Sequence, residues 1–192
     1  MKEIGIVIPV RKGGNPRTTL ESLARQTLQS FDVIVSWDRK GNANWARNKG
    51  FWMVENPFVL FSDDDIAWEP GALETLHQAL LEHPEASYSY GGYFMPGIGE
   101  QCNAAFDAGL LRKRNLASTM SLIRTSDFIG FDESIQRGQD WDMWLGMLAL
   151  GKIGVYCGRR IFTTEKRDGI TYGSGVSWET ATRAVRLKHG LV

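Results

Sequence analysis

The stretch that decides the fold is Phe58-Val59-Leu60-Phe61-Ser62, followed at once by Asp63-Asp64-Asp65. The apolar run has the length and the β-branched and aromatic content of a buried strand. It delivers three carboxylates to the strand's C-terminal end. Carboxylates crowded in this way repel one another, and a hard divalent cation relieves the repulsion by taking oxygens from two of them. In an open α/β sheet that edge is also where ligands bind. A solvated acidic turn has the same local composition, so the surrounding pattern must decide.

Upstream, residues 4–10 form a β-branched-rich strand ending at Pro9-Val10. A polar, Gly-rich loop over 11–17 follows. Thr18 and Glu21 fit a capping box, and Leu20, Leu23, Ala24, Thr27 and Leu28 recur at helical spacing. A second strand over 32–37 ends at Asp38. After a turn at Gly41-Asn42, a helix is expected over 44–55, stopped by Asn56-Pro57. Beyond the third strand, 58–62, Pro70 opens a helix with Leu73, Leu76, Leu80 and Leu81 on its apolar face. Strand and helix thus alternate through the first part of the chain. Such alternation predicts an α/β fold with a Rossmann-type sheet of mostly parallel strands flanked by helices.

The second half is less regular. Strands are expected over 86–95, 116–124 and 153–163, with a polar, Gly-rich loop reaching to Asn115. Residues 138–150 read as an amphipathic helix with Trp141, Trp144, Leu145 and Leu148 on one face and Gly151 ending it. Ser177 caps a last helix. The hydrophobic pattern has no break that divides the chain, so residues 1–192 are expected to form a single domain. Its first half, about 1–95, would hold nucleotide and metal, and its second, about 96–192, the acceptor and a catalytic base.

Lys plus Arg equals Asp plus Glu at 22 each, giving a net charge of zero. That argues against bulk-charge binding of nucleic acid, while leaving room for a local basic patch. Cys102 and Cys157 lack metal-ligand spacing and read as reduced cysteines, with a disulfide the alternative. No apolar run reaches membrane-spanning length, and the N-terminus reads as a strand rather than a signal peptide, so a cytoplasmic protein is expected. His77 reads as packed on a helix, and His83 and His189 as surface residues. Trp52, Trp141 and Trp144 read as core, whereas Trp37 and Trp68 lie near strand ends where a ring could stack on a base or sugar.

Three strand ends therefore come side by side: Pro9-Val10, Asp38 and Asp63-Asp64-Asp65. This is the layout of a nucleotide site. No GxGxxG and no Walker lysine follow the first strand. A divalent ion held by acidic side chains would instead neutralise a diphosphate.

These residues carry a resemblance. Ile6-Val7-Ile8-Pro9-Val10, the run Leu20-Glu21-Ser22-Leu23-Ala24-Arg25-Gln26, and Ala46-Arg47-Asn48-Lys49-Gly50 resemble, in order, the first strand, first helix and "a-R-N-x-G" element of family 2 glycosyltransferases. Phe61-Ser62-Asp63-Asp64-Asp65 with Pro70 resembles their "f-x-D-x-D" metal motif. Gly130-Phe131-Asp132-Glu133 and Gln139-Asp140-Trp141-Asp142-Met143-Trp144-Leu145 resemble their "G-F-D-E … E-D-x-D-l-w-l" segment.

The resemblance implies a GT-A fold and a metal-dependent, inverting transfer of a sugar from a nucleoside diphosphate sugar, most often a UDP-sugar, to a hydroxyl acceptor. By the same resemblance, Asp140 is the catalytic base. Asp63 and Asp65 hold Mn²⁺ or Mg²⁺, Asp65 more directly. Asp38 contacts the base of the nucleotide, Arg47 approaches the nucleotide or its diphosphate, and Pro9, Val10 and Asp64 complete the nucleotide site. The chain departs from the pattern at Trp37, where the family writes an acid, at Gln139 in place of Glu, and at Gly146 in place of a basic residue. Glu165-Lys166-Arg167-Asp168-Gly169 has no histidine where many members place a metal ligand, leaving water or Asp168 for that role; Lys166 and Arg167 could clamp a diphosphate. Protein, lipid-linked glycan, polysaccharide, small molecule and modified nucleobase all fit as acceptor. A nucleotidyltransferase and a non-catalytic sugar-nucleotide-binding module are the alternative readings.

Overall fold

Strand β1 (Ile4–Val10) is buried at every position, as a strand covered on both faces must be. It lies between two parallel partners, β2 (Phe31–Trp37) and β3 (Phe58–Phe61). Helices α1 (Arg17–Leu23) and α2 (Ala43–Phe51) make the crossovers. A short strand β4 (Ile66–Trp68), helix α3 (Ala72–Glu82) and the long strand β5 (Ala86–Met95) follow. Then come β6 (Gly99–Gln101), α4 (Ala108–Leu111), β7 (Leu122–Arg124), α5 (Gln139–Ala149), β8 (Ile153–Thr164) and α6 (Trp178–Lys188). These elements come from a computed structural model, which describes residues 2–164 and 175–191.

The eight strands form one sheet in the order β2-β1-β3-β7-β5-β8-β4, with β6 beside β5. The first half is parallel, as the alternation demands. The second half adds antiparallel ladders: β7 to β3 and β5, β6 to β5, and β4 to β8, while β5 and β8 run parallel.

The two-residue period of a strand sorts the core into two layers. Ile4, Ile6, Ile8 and Val10 pack with Leu23 of α1 and Leu73, Leu76 and Leu80 of α3. Val7, Val59 and Phe61 face the other way, onto Trp141, Trp144 and Leu145 of α5. Among the described residues no helix is long and apolar enough to cross a membrane.

Several local expectations change. The capping box at Thr18 does not form: α1 begins at Arg17 after Pro16, with no side-chain cap, and Glu21 pairs with Arg17 at 2.7 Å. Helix α2 ends at Phe51, leaving Trp52 85% exposed rather than in the core. Leu81 is exposed too, on the far side of α3 from Leu73 and Leu76. Of residues 116–124, only the last three pair as a strand; 116–121 are buried without regular structure, turning at Ser121 N–H to Thr119 O. Both cysteines are free.

Gly50 shows how closely α2 sits on the sheet. A Cβ there would lie 2.4 Å from Val7 Cγ1 and 3.2 Å from Ser36 Cβ. Replacing a helical Gly by Ala ordinarily stabilises by up to about 1 kcal/mol. Here overpacking, typically about 1–3 kcal/mol, should outweigh that gain. Gly50→Ala is expected to lower stability in urea denaturation; an increase would mean that α2 has room to move outward.

Candidate active site

The acidic triplet is held by α1. Thr19, fully buried, places Oγ1 3.0 Å from the carbonyl oxygens of both Asp63 and Ile66, donating to one at a time, and accepts from the Ile66 N–H at 3.2 Å. Ser22 Oγ accepts from the Trp68 N–H, and Gln26 donates to Glu69 O while accepting from the Leu73 N–H. Three small polar side chains on one face of α1 thus satisfy the backbone on both sides of the turn at 64–65 and fix its path.

Helix α2 supplies the other support. Arg47 is almost wholly buried; its Nη2 donates to Asp63 Oδ1 at 2.7 Å and its Nη1 to Asn44 Oδ1 at 3.1 Å, with the guanidinium over the Phe131 ring. Arg47 therefore reaches the site through Asp63. Asn48 treats Phe131 as a strand partner would, donating to its carbonyl and accepting from its N–H, both at 2.9 Å. Asn44 donates to Asp132 O and Ile135 O, and Asn42 to Glu133 O. The "a-R-N-x-G" and "G-F-D-E" elements, more than 80 residues apart, are two halves of one joint.

That joint leads into α5. Asp140, half-buried in its first turn, accepts from the Trp141 N–H at 2.9 Å through Oδ1 and from Asn115 Nδ2 at 2.8 Å through Oδ2. Burial pushes the Asp140 carboxyl above the ordinary carboxylate range, opposed by the Trp141 N–H, the nearby Arg47 charge and the Asn115 amide. Asn115 was not singled out by the sequence; it closes an irregular segment and carries no motif.

A cleft of about 840 Å³ opens beside the ends of β1 and β2, lined by Arg11, Lys12, Gly13, Trp37, Asp38, Arg39 and Gly41. Asp38 is joined to β1 through its N–H to Val10 O at 2.8 Å, and its carboxylate turns the chain by accepting from the Lys40 N–H. Pro9 and Val10 are buried and shape the strand end rather than offering side chains to the cleft. Asp64 lies over the loop after β1: a Cβ on Gly14 would come within 2.6 Å of Asp64 Oδ2, so the glycine makes that approach possible. Trp37 is half exposed in the cleft, whereas Trp68 is a core residue whose Nε1 donates to Ser62 Oγ.

Among the described residues no group of three or more His, Cys, Asp and Glu is placed to hold a metal ion. The Asp63 and Asp65 carboxylates are hard donors of the kind Mg²⁺ and Mn²⁺ take, but Asp63 already receives Arg47. Two such carboxylates, one of them ion-paired, would leave a divalent cation short of ligands, so one held here would need donors from outside these side chains. Lys166, Arg167 and Asp168 lie outside the described residues.

On the far side of α5, Asp142 is buried and accepts from Lys188 Nζ and faces His189 Nε2, each at 2.8 Å; Lys188 also binds Asp132 at 2.7 Å. His189 is thus half-buried in a network that ties α6 to α5, not a surface residue. His77 packs edge-on to Phe58, and His83 is exposed beside Glu85. Gly146 also has a packing reason: a Cβ there would meet Ile129 Cδ1 at 2.8 Å.

Comparison with known proteins bears on this geometry. Residues 18–101 match Glycosyl transferase family 2, a segment that includes α1, Arg47 and the acidic triplet. No curated protein matches the chain in sequence. Among solved structures, S. aureus TarS 1-349 in complex with UDP-GlcNAc superposes with a TM-score of 0.73 at 16% identity, covering 97% of this chain and 66% of that one. TarS 1-349 in complex with UDP gives 0.67 at 14% identity, covering 97% and 65%. The full TarS structure gives 0.66 at 14% identity, covering 97% of this chain and 39% of its own. At such identities the likeness establishes the GT-A fold, and the chain spans less than two thirds of the TarS structures. The family 2 segment holds Asp63, Asp65, Arg47 and Asp38; Asp140 and Asn115 lie beyond it.

A carboxylate that loses a hydrogen-bond donor becomes easier to protonate. Asn115→Leu should therefore raise the Asp140 carboxyl pKa further, followed by ¹³C NMR of the side-chain carboxyl. An unchanged titration would show that Asn115 does not act on Asp140.

Proposed function

We propose that this chain transfers a sugar from a UDP-sugar to a hydroxyl acceptor, with inversion at the anomeric carbon. The observation that carries the reading is one continuous arrangement. The cleft at Trp37 and Asp38 and the acidic triplet lie at the C-terminal ends of β2, β1 and β3, and Arg47 of α2 touches Asp63 while acting electrostatically on Asp140 of α5. The family 2 segment and the TarS complexes with UDP-GlcNAc and UDP support a nucleotide-sugar donor.

In this reading Asp38 accepts hydrogen bonds from the uracil, and Trp37 covers one face of the cleft. Arg11, Lys12 and Arg39 draw the phosphates inward. Asp65 and Asp63 would hold Mn²⁺ or Mg²⁺, which when bound would supply positive charge against the departing diphosphate. Arg47 keeps Asp63 oriented before donor and cation arrive. Asp140 takes the proton of the acceptor hydroxyl as its oxygen attacks the anomeric carbon and the diphosphate leaves from the opposite face. No covalent intermediate is required. The raised carboxyl of Asp140 suits a base, because the proton affinity of the carboxylate rises with its pKa.

Turnover tests the base. A base acts in the transition state and adds little to donor affinity. Asp140→Asn should lower transfer by about 10²–10⁴-fold with UDP affinity nearly unchanged. Near-normal turnover would remove Asp140 from the chemistry. Release of pyrophosphate instead of UDP would point to nucleotidyl transfer.

Calorimetry tests the donor site. Asp38→Ala should weaken UDP binding by about 1–3 kcal/mol, the cost of leaving a polar partner unpaired. Asp65→Ala should remove the Mn²⁺-dependent part of UDP affinity without unfolding the chain, since the residue lies in a half-buried turn outside the core. Unchanged affinity in both variants would place the nucleotide elsewhere.

A further inference from the structure

Beside the base lie three consecutive cations, Arg112-Lys113-Arg114, all exposed. They form the turn after α4, with the N–H groups of Lys113 and Arg114 both donating to Leu110 O. The turn is anchored to the base helix on both sides. Trp141 Nε1 donates to Leu111 O at 2.7 Å, Asn115 Nδ2 to Asp140 at 2.8 Å, and Trp144 Nε1 to Ala117 O at 2.8 Å. Arg114 and Asp140 both act electrostatically on the Cys102 thiol, so the cation and the base share one neighbourhood. Among the described residues no carboxylate pairs with any of the three; Arg112 donates only to Ala108 O.

Cations with no carboxylate partner among the described residues, fixed beside a base, present positive charge to whatever approaches it. The chain as a whole is neutral, so this charge is local. Consecutive side chains on a turn fan apart, and no buried cradle fixes a fork-to-fork geometry here. Such groups suit point contacts with successive phosphates along a flexible chain, the kind of contact that positions without reading sequence. Recognition of one particular carboxylate would call for a fixed bidentate pocket instead.

We propose that the acceptor is a phosphodiester-bearing chain that lies across Arg112-Lys113-Arg114 and presents its hydroxyl to Asp140. This rests on the glycosyl-transfer reading and adds the acceptor's chemistry to it. Separate cations then serve the two substrates: Arg11, Lys12 and Arg39 the diphosphate, and residues 112–114 the acceptor backbone.

The test is binding by fluorescence anisotropy in the presence of saturating UDP and Mn²⁺. The probes are a single-stranded oligodeoxynucleotide, a poly(glycerol phosphate), polygalacturonate and neutral dextran. Three phosphate contacts predict a salt slope near −2, about a 20-fold loss of affinity on raising salt fourfold. Arg112→Ala/Lys113→Ala/Arg114→Ala should flatten that slope to near zero for the phosphodiester probe and leave UDP affinity unchanged. Arg11→Ala/Lys12→Ala/Arg39→Ala should do the reverse. Binding of either phosphodiester probe supports the proposal, and which of the two binds identifies its source. Binding of polygalacturonate alone, of no polyanion, or an equal loss in both variants overturns it. UDP affinity and donor turnover are read separately. A chain that handles UDP-sugar but no phosphodiester refutes this inference alone; one that never binds UDP refutes the function.

Discussion

The Arg47–Asp63 pair is the contact on which the rest of the site depends. Arg47 is buried on the sheet-facing side of α2, and Asp63 is the first residue beyond the apolar run of β3. Taking a guanidinium out of water costs several kcal/mol, and such a pair is weak evidence for stability. What it achieves is placement. With Arg47 held by Asn44 and stacked on Phe131, Asp63 points in one direction. The same helix turns Asn42, Asn44 and Asn48 onto the backbone at 131–135, fixing the approach to α5. A helix with an ordinary apolar face could pack on β1, but it could not join the acidic turn to the base.

The electrostatics follow from that placement. Asp63, Asp64, Asp65 and Asp140 gather at one sheet edge, and Arg47 is the buried cation among them. It touches one end of the set and lowers the proton affinity of the other, where burial alone would keep Asp140 protonated to higher pH. Exposed cations stand at the cleft beside Asp38 and on the turn at 112–114. A neutral protein can thus show a charge-patterned site.

Much of the first half was legible because local and global signals agree there. The apolar runs of β1 and β3 can only be strands covered on both faces, and the polar face of α1, Thr19, Ser22 and Gln26, is the part of its motif that grips the β3–β4 turn. What was not legible depends on distant partners. Strand β4 has three residues and exists because β8 pairs with it. Asn115 matters only because the chain returns to Asp140, 25 positions later. Trp52 looked like core by residue type, but α2 ends one residue before it and turns it outward. Asn48 and Phe131 stood in two recognisable motifs, yet only their mutual hydrogen bonds explain why both are present. His189 owes its burial to Asp142 on another helix.

The most direct measurement is a crystal structure of this chain with UDP and Mn²⁺. The account predicts uracil in the cleft within contact of Asp38 and Trp37, and the cation between the diphosphate and Asp65, shared with Asp63. Arg47 should remain on Asp63, and the β-phosphate should lie on the side facing Asp140. UDP lodged elsewhere, for example in the groove between α3 and β8, with no contact to Asp38 or the acidic triplet, would contradict it.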